Sequence, residues 1–315
     1  RAAGLRAASA GNVGTPVLDL VQDPEPYDVI AVELSSFQLH WSHSLRPQAA
    51  ACLNIAPDHI DWHGSLEEYA AAKGKVYANT EIACVYNEQD PATRRLVEEA
   101  DVVEGCRAVS FTLGSPGPSM LGLVEDVLAD RAFVEDRATT AAELGSLADL
   151  QGEAPSVAPH LVANALAAAG AAFAAGAPLH DIRQGLRTFT TSYYLSPGRL
   201  NRIEVDHAEV FVDYCHNPAG LQLLGEFVDR YVAGKNKSTR VQRIVVVGAA
   251  GDRRDQDIRE MGELAAKWFD HVIIREDDNL RRRAPGETAA LVAEGAQQAI
   301  DSGEARAASV ETVLD

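Results

Sequence analysis

The stretch Ile244–Ile274, IVVVGAAGDRRDQDIREMGELAAKWFDHVII, decides the fold. Its first four residues, Ile244–Val247, are all β-branched and predict a strand. A glycine-bearing turn follows, then a helical pattern over Asp255–Phe269, then a second apolar run at His271–Ile274. Strand, helix and strand within roughly 30 residues is the spacing of a parallel crossover unit. Working outward, the same alternation recurs. Strands are expected at Val29–Leu34, Ala50–Ile55, Ile82–Tyr86, Ala108–Thr112 and Glu209–Asp213. Helices are expected at Leu66–Asn79, Ala92–Ala100, His160–Ala175, Leu179–Thr188, Ala219–Val232 and Gly286–Ile300. The pattern predicts a doubly wound α/β fold with mainly parallel strands. Ligands in such sheets collect beyond the carboxyl ends of strands, so the loops after Leu34, Ile55, Asp213 and Gly248 carry the interest.

The 315 residues fit two domains, with Ser192–Arg199 (SYYLSPGR) as the hinge because Pro197 and Gly198 break the periodicity. The expected division is 1–195 and 196–315. Gly114–Pro118 reads as a surface turn and Gly234–Ser238 as a polar loop. With 28 Lys+Arg against 46 Asp+Glu, the net charge of −18 argues against nucleic acid, which needs a basic face. It leaves room for small anions held by a few local cations. The four cysteines stand far apart with no CxxC, which fits reduced thiols and a cytoplasmic setting. No apolar run approaches the ~20 residues of a membrane span, and no signal peptide is evident. The chain opens without Met, as an internal fragment would.

Several loops concentrate reactive groups. Glu33, at the end of what reads as a buried apolar strand, can offer Mg²⁺ a carboxylate oxygen, or be a solvated strand terminus. Asp58, His59, Asp61 and His63 crowd one loop, a density that suits metal or phosphate chemistry as well as an ordinary surface loop. Magnesium fits better than zinc, since no HExxH or cysteine accompanies the histidines. Lys73 is either a solvated helix residue or, pointed at metals, an amine able to take up CO₂ as an anionic carbamate. Asp213 can hydrogen-bond a ribose, and the Gly248–Gly251 turn can attract an anion. Arg275–Arg283 mixes acids and guanidiniums, which can read a zwitterionic amino acid or neutralise one another.

Together these motifs resemble the Mur ligase superfamily, ATP-dependent enzymes that join a carboxylate to an amine through an acyl phosphate. GNVG (Gly11–Gly14), VELSSFQLHWS (Val32–Ser42), LNIAPDHIDWHGSLEEYAAAKGKVY (Leu53–Tyr77) and VEGCRAVSFTLGSPGPSMLG (Val103–Gly122) are similar to the central domain of D-glutamate-adding ligases. IRQGLRTF (Ile182–Phe189), SPGRLN (Ser196–Asn201), VDYCHNPAG (Val212–Gly220), VVVGAAGDRRDQDI (Val245–Ile258) and IIREDDNLRRRAPGE (Ile273–Glu287) are similar to the carboxyl-terminal half of cyanophycin synthetases. The resemblance implies a mosaic: a central parallel-sheet ATPase domain followed by a Rossmann-like amino-acid-adding domain, both truncated.

It also implies roles. Glu33 would hold one Mg²⁺; His59 and a carbamylated Lys73 would hold a second. Asn12, Ser35 and Gln38 would face the carboxylate substrate. Asn164 would contact adenine, Arg199 the phosphate or ribose, Asp213 the ribose, with His216 and Asn217 beside the nucleotide. Arg281 would lie near the incoming amino acid. ATP, two Mg²⁺ and CO₂ are the implied cofactors, and an oligomer is compatible with the fold. The family's glycine-rich loop ending in GKT or GKS has no counterpart among these residues; Gly234-Lys235 is followed by Asn236. The family's PHNxxNA appears as PHLVANA, with Leu161 in place of an asparagine. Two expectations stand side by side. One is a ligase of peptidoglycan-precursor or cyanophycin type; the other is an inactive fragment or hybrid with at most residual nucleotide binding.

Overall fold

A computed structural model describes residues 2–151, 157–189, 196–235 and 241–314. The chain divides into two compact units, one of residues 1–153 and 157–190, the other of 154–156 and 191–315. In the first, β1 (Ala7–Gly11), α1 (Val17–Val21), β2 (Val29–Glu33) and α2 (Ser36–His40) lead to β3 (Ala49–Cys52). There follow α3 (Ile60–His63), α4 (Leu66–Gly74), β4 (Ala83–Asn87), α5 (Pro91–Glu98) and β5 (Arg107–Phe111). Three short strands, β6 (Met120–Val124), β7 (Val127–Asp130) and β8 (Ala142–Ser146), precede α6 (Leu147–Gln151), α7 (Pro159–Ala174) and α8 (Leu179–Thr188).

Six of these strands form one sheet in the order β3-β4-β5-β6-β7-β8, parallel from β3 to β6 and antiparallel beyond. Its core gathers Val85, Val109, Phe111, Leu121, Leu128 and Leu144 against Val162 and Leu166 of α7, all essentially removed from water. Small residues let that helix lie close. Gly170 sits where an added Cβ would meet Val85 and Leu121 at 3.4–3.5 Å. Helix ends are set by ordinary chemistry. Ser65 caps α4 by accepting from Glu68 N–H, and Asp90 caps α5 by accepting from Ala92 N–H at 2.9 Å. The other Asp90 oxygen takes Ile55 N–H at 2.8 Å, which pins the loop after β3.

Strands β1 and β2 form a separate two-stranded parallel pair, Ala7↔Val29 through Gly11↔Glu33. The expectation of a buried strand ending at Glu33 is corrected here. Ala31, Val32 and Glu33 are exposed, because β2 has a hydrogen-bonded neighbour on one side alone among the described residues. The helix expected over Leu66–Asn79 is also shorter, ending at Gly74 and tightening to a 3₁₀ turn at Lys75–Tyr77. The turn swings Tyr77 into the interior, where its hydroxyl accepts from Cys52 N–H at 3.1 Å and donates to Val85 C=O at 2.8 Å.

The second unit opens with an antiparallel hairpin, β9 (Asn201–Val205) and β10 (Ala208–Val212), followed by α9 (Pro218–Ala233). A three-stranded parallel sheet follows, ordered β11 (Ile244–Val247), β12 (His271–Arg275), β13 (Ser309–Val313). Its crossovers are α10 (Asp255–Trp268) and α11 (Glu287–Ser302), so the unit is Rossmann-like. The two crossover helices touch backbone to backbone. A Cβ on Gly262 would fall 1.9 Å from Val292 C=O, and one on Gly295 1.9 Å from Arg259 C=O. Trp268 lies against Gly225 of α9 and donates to Gln222 at 3.1 Å. The expected turn at Gly114–Pro118 connects β5 to β6 with Pro116 buried. Residues 192–195 of the expected hinge and 236–238 of the polar loop lie outside the described residues.

Candidate functional site

The end of β2 meets the Gly11–Asn12 turn. Asn12 N–H donates to Glu33 C=O at 2.8 Å, and Asn12 Nδ2 donates to Glu33 Oε1 at 3.2 Å. Two residues later Ser35 caps α2 in a reciprocal box. Ser35 Oγ accepts from Gln38 N–H, while Gln38 Oε1 accepts from Ser35 N–H at 2.8 Å and from its hydroxyl at 3.0 Å. The spacing S-x-x-Q is thereby used to start a helix. Of the substrate-facing trio expected from the sequence, Asn12 is engaged with Glu33 and the other two with each other.

Helices α2, α3 and α4 bring the imidazoles and the lysine onto one aromatic layer. Phe37 lies 4.7 Å from the His59 ring, 4.9 Å from Trp62 and 5.8 Å from His63. His63 Nε2 is 2.9 Å from the buried Ser36 Oγ, and its ring is 5.3 Å from Tyr69. Lys73 Nζ stands 5.9 Å over the Tyr69 ring. His59 is left-handed at φ 51°, a costly conformation for a residue with a Cβ, and it starts α3. Lys75 is structural: its Nζ donates to His40 C=O at 2.6 Å, closing α2. Sequence reasoning passed over Phe37, Tyr69 and Lys75, which assemble the layer; the aromatic spacing was their available signal.

The surroundings of His63 favour its neutral imidazole. Burial lowers the His63 pKa, helped by the positive charges of His40 and Lys73 against Asp61 and Glu68. Burial pushes the Cys52 thiol up to about 11, with Lys73 opposing. Lys73 itself is half-buried and forms no ion pair among the described residues. Among the described residues, no trio of His, Cys, Asp and Glu side chains converges as a ready metal cage.

The second unit presents its own loops. Asp213, expected at a ribose, accepts Leu200 N–H and Cys215 N–H at 2.9 Å each. Asn217 caps α9 through Gly220 N–H at 2.8 Å. The Arg199 guanidinium lies 5.7 Å over Tyr214, whose ring is 5.3 Å from His216. Arg281 donates to Asp252 Oδ2 at 2.5 Å. Arg283, named in the sequence only as part of the Arg275–Arg283 cluster, ties the region together. It donates to Gly251 C=O, Arg253 C=O, Asp255 and Glu287 at 2.7–2.8 Å. Three successive arginines give no sign of which one is half-buried. In the first unit Asn164 is exposed on α7, away from that helix's packed face.

Comparison with known proteins finds matches to both halves of the chain. The profile of the Mur ligase middle domain matches residues 10–172, and that of the Mur ligase glutamate ligase domain matches residues 198–315. The UDP-N-acetylmuramoylalanine–D-glutamate ligase of Streptomyces coelicolor is 58% identical over 190 residues, 60% of this chain and 40% of that protein. The cyanophycin synthetase of Crocosphaera subtropica is 34% identical over 281 residues, 84% of this chain and 29% of that protein. The chain thus spans about 40% of the length of the first of these relatives. Among solved structures, MurF from Acinetobacter baumannii superposes with TM-score 0.64 at 17% identity, over 97% of this chain and 67% of that one. The folylpolyglutamate synthase of Mycobacterium tuberculosis complexed with ADP gives 0.62 at 20% identity, over 91% and 59%. Those two similarities concern the fold.

Proposed function

The chain belongs to the Mur ligase family, and from that premise we propose that it supplies the metal-binding and amino-acid-adding parts of an ATP-dependent carboxylate–amine ligase. Residues 1–195 act as the ATPase-type domain and 196–315 as the amino-acid-adding domain. The observation that carries this reading is the half-buried Lys73, without an acid partner among the described residues, on one aromatic layer with His59. A lysine so placed can attack CO₂ through its neutral amine. The N–C bond forms, a proton leaves to solvent, and the product is an anionic carbamate with oxygen ligands.

The donor set fits Mg²⁺. Glu33 offers an oxygen that no described residue engages, and the Lys73 carbamate would offer more, with His59 beside it. Mg²⁺, when bound, offsets negative charge that develops as a phosphoryl group is transferred. Glu33 would hold one ion, and His59 with the Lys73 carbamate the other. Asn12, Ser35 and Gln38 would face the carboxylate substrate, Asn12 and Gln38 through amide hydrogens not already used and Ser35 by holding Gln38 in place. Asn164, Arg199, Asp213, His216 and Asn217 would meet ATP, and Arg281 the amino acid whose amine attacks the acyl phosphate. D-glutamate, arginine and aspartate are the amines to try. The ADP complex of the folylpolyglutamate synthase relative supports the nucleotide assignment.

The test is phosphate release by the chain in MgATP with UDP-N-acetylmuramoylalanine and each amine in turn. Amine-dependent release is expected; none with any amine at saturating MgATP would sink the reading for this polypeptide. A second reading, confined to these 315 residues taken by themselves, is a non-catalytic hybrid with residual adenosine binding through Asn164, Arg199 and Asp213, since the family's GKT or GKS loop is not among them. Carbon-13 NMR in labelled bicarbonate separates the two. A carbamate signal lost in Lys73→Arg without turnover supports an assembled but idle site, and calorimetry showing tight MgATP binding would count against the hybrid.

A further inference from the structure

The Gly11–Asn12 turn is locked onto Glu33 at three points. Gly11 adopts φ +119°, and a Cβ there would fall 2.0 Å from Glu33 C=O, so the turn takes glycine alone. Asn12 N–H donates to that same carbonyl at 2.8 Å. The Asn12 side chain then reaches back to Glu33 Oε1 at 3.2 Å. Glu33 Oε2 has no hydrogen bond or ion pair among the described residues. The carboxylate is thus divided: one oxygen is spent on an amide and the other is open.

We propose that Asn12 is a positioning residue that sets divalent-ion selectivity at Glu33, by leaving a single oxygen for the cation. The proposal rests on the reading of Glu33 as a metal ligand. Its physical basis is ion size. Ca²⁺ accepts a carboxylate through one or both oxygens at about 2.3–2.6 Å, while Mg²⁺ demands near-octahedral geometry at about 2.0–2.1 Å and is usually held by single carboxylate oxygens and water. A glutamate with one oxygen occupied favours the smaller ion. Freed of its amide partner, the same glutamate can chelate with both oxygens, which favours Ca²⁺. Because the donor is fixed by the backbone at Gly11 and Asn12, the selectivity is built into the turn and not into Glu33 itself.

The test uses the full chain and the metals alone. Bound Mn²⁺ is followed by electron paramagnetic resonance and displaced with Mg²⁺ or Ca²⁺, for the wild type, Asn12→Ala, Asn12→Gln and Glu33→Gln. Loss of an outer-shell hydrogen bond typically changes metal affinity by roughly 10-fold or more, so the Ca²⁺-to-Mg²⁺ affinity ratio is expected to rise about tenfold in Asn12→Ala. Asn12→Gln, which keeps an amide donor, restores part of the wild-type ratio; a merely structural role would not show that rescue. An unaltered ratio in Asn12→Ala, with Mn²⁺ binding present and lost in Glu33→Gln, overturns the proposal and leaves the ligand reading intact. Mn²⁺ binding that is absent from the wild type, or unaffected by Glu33→Gln, removes the ligand reading and the proposal with it. Asn12 is exposed, so its variants are expected to fold, and circular dichroism checks that they do.

Discussion

The two sheets of the first unit carry opposite ends of the candidate site and are built on different principles. The six-stranded sheet buries Val85, Phe111, Leu121 and Leu144 to the last few per cent and anchors the turn that follows Lys73 through Tyr77. The β1–β2 pair buries little: Val32, in the middle of an apolar run, is 44% exposed. Parallel strands normally lie between covered faces. Glu33 therefore sits on a thin, weakly packed ledge, held by hydrogen bonds from Asn12, while Lys73 rises from a deep core. One half of the site owes its geometry to packing and the other to polar contacts, and the two will respond differently to mutation.

The largest expected effect is Leu166→Ala, which empties the interface of α7 with the six-stranded sheet. Such buried truncations cost roughly 2–5 kcal/mol, read as a lower urea midpoint for the first unit. Tyr77→Phe comes next: losing a hydroxyl that serves two buried backbone groups should cost about 1–3 kcal/mol without altering near-ultraviolet dichroism from the rest of the core. A pH effect follows. The His63 pKa is lowered on folding, so the unfolded chain takes its proton first as pH falls. Its contribution is present above the unfolded value near 6.5 and is lost as pH drops through that value toward the folded one. The thermal midpoint should fall from pH 7.5 to 5.5, and His63→Gln should flatten that fall. The smallest effect belongs to the ledge: Val32→Ala should stay within about 0.5 kcal/mol, as exposed substitutions do. A cost for Val32→Ala equal to that of Leu166→Ala would erase the contrast between the sheets. Hydrogen exchange sharpens it, with slow amides expected on β4 and faster ones on β2.

The same contrast explains what could be read from the sequence. Ile244–Val247 and the helix of Asp255–Trp268 declare themselves, because β-branched side chains and helical periodicity agree with the tertiary environment. Ala7–Gly11 (AASAG) has no such signal; it is a strand because β2 offers it a parallel partner. The short, glycine-bearing strands of Met120–Val124 and Ala142–Ser146 are likewise fixed by pairing and not by propensity. In the candidate site, His59 and Lys73 are legible as chemistry. The S-x-x-Q spacing of Ser35 and Gln38 is equally legible as a helix start, and the structure uses it as one. Which arginine of Arg281–Arg283 is half-buried depends on loops about 30 residues away in sequence, at Gly251–Asp255, and local reading has no access to that distance.

The placement of the three tryptophans gives each unit its own optical signal. Trp41 and Trp62, 71% and 45% exposed, flank His40 at 4.9 and 5.1 Å on the aromatic layer, while Trp268 is lodged between α9 and α10. The first pair faces water beside an imidazole, and the third lies against a neighbouring helix, so the two sets are expected to emit at different wavelengths. Trp268→Phe leaves a protein whose fluorescence reports the first unit alone, and the double replacement of Trp41 and Trp62 by Phe leaves one that reports the second. Ligand arrival at either unit becomes readable in an unlabelled chain.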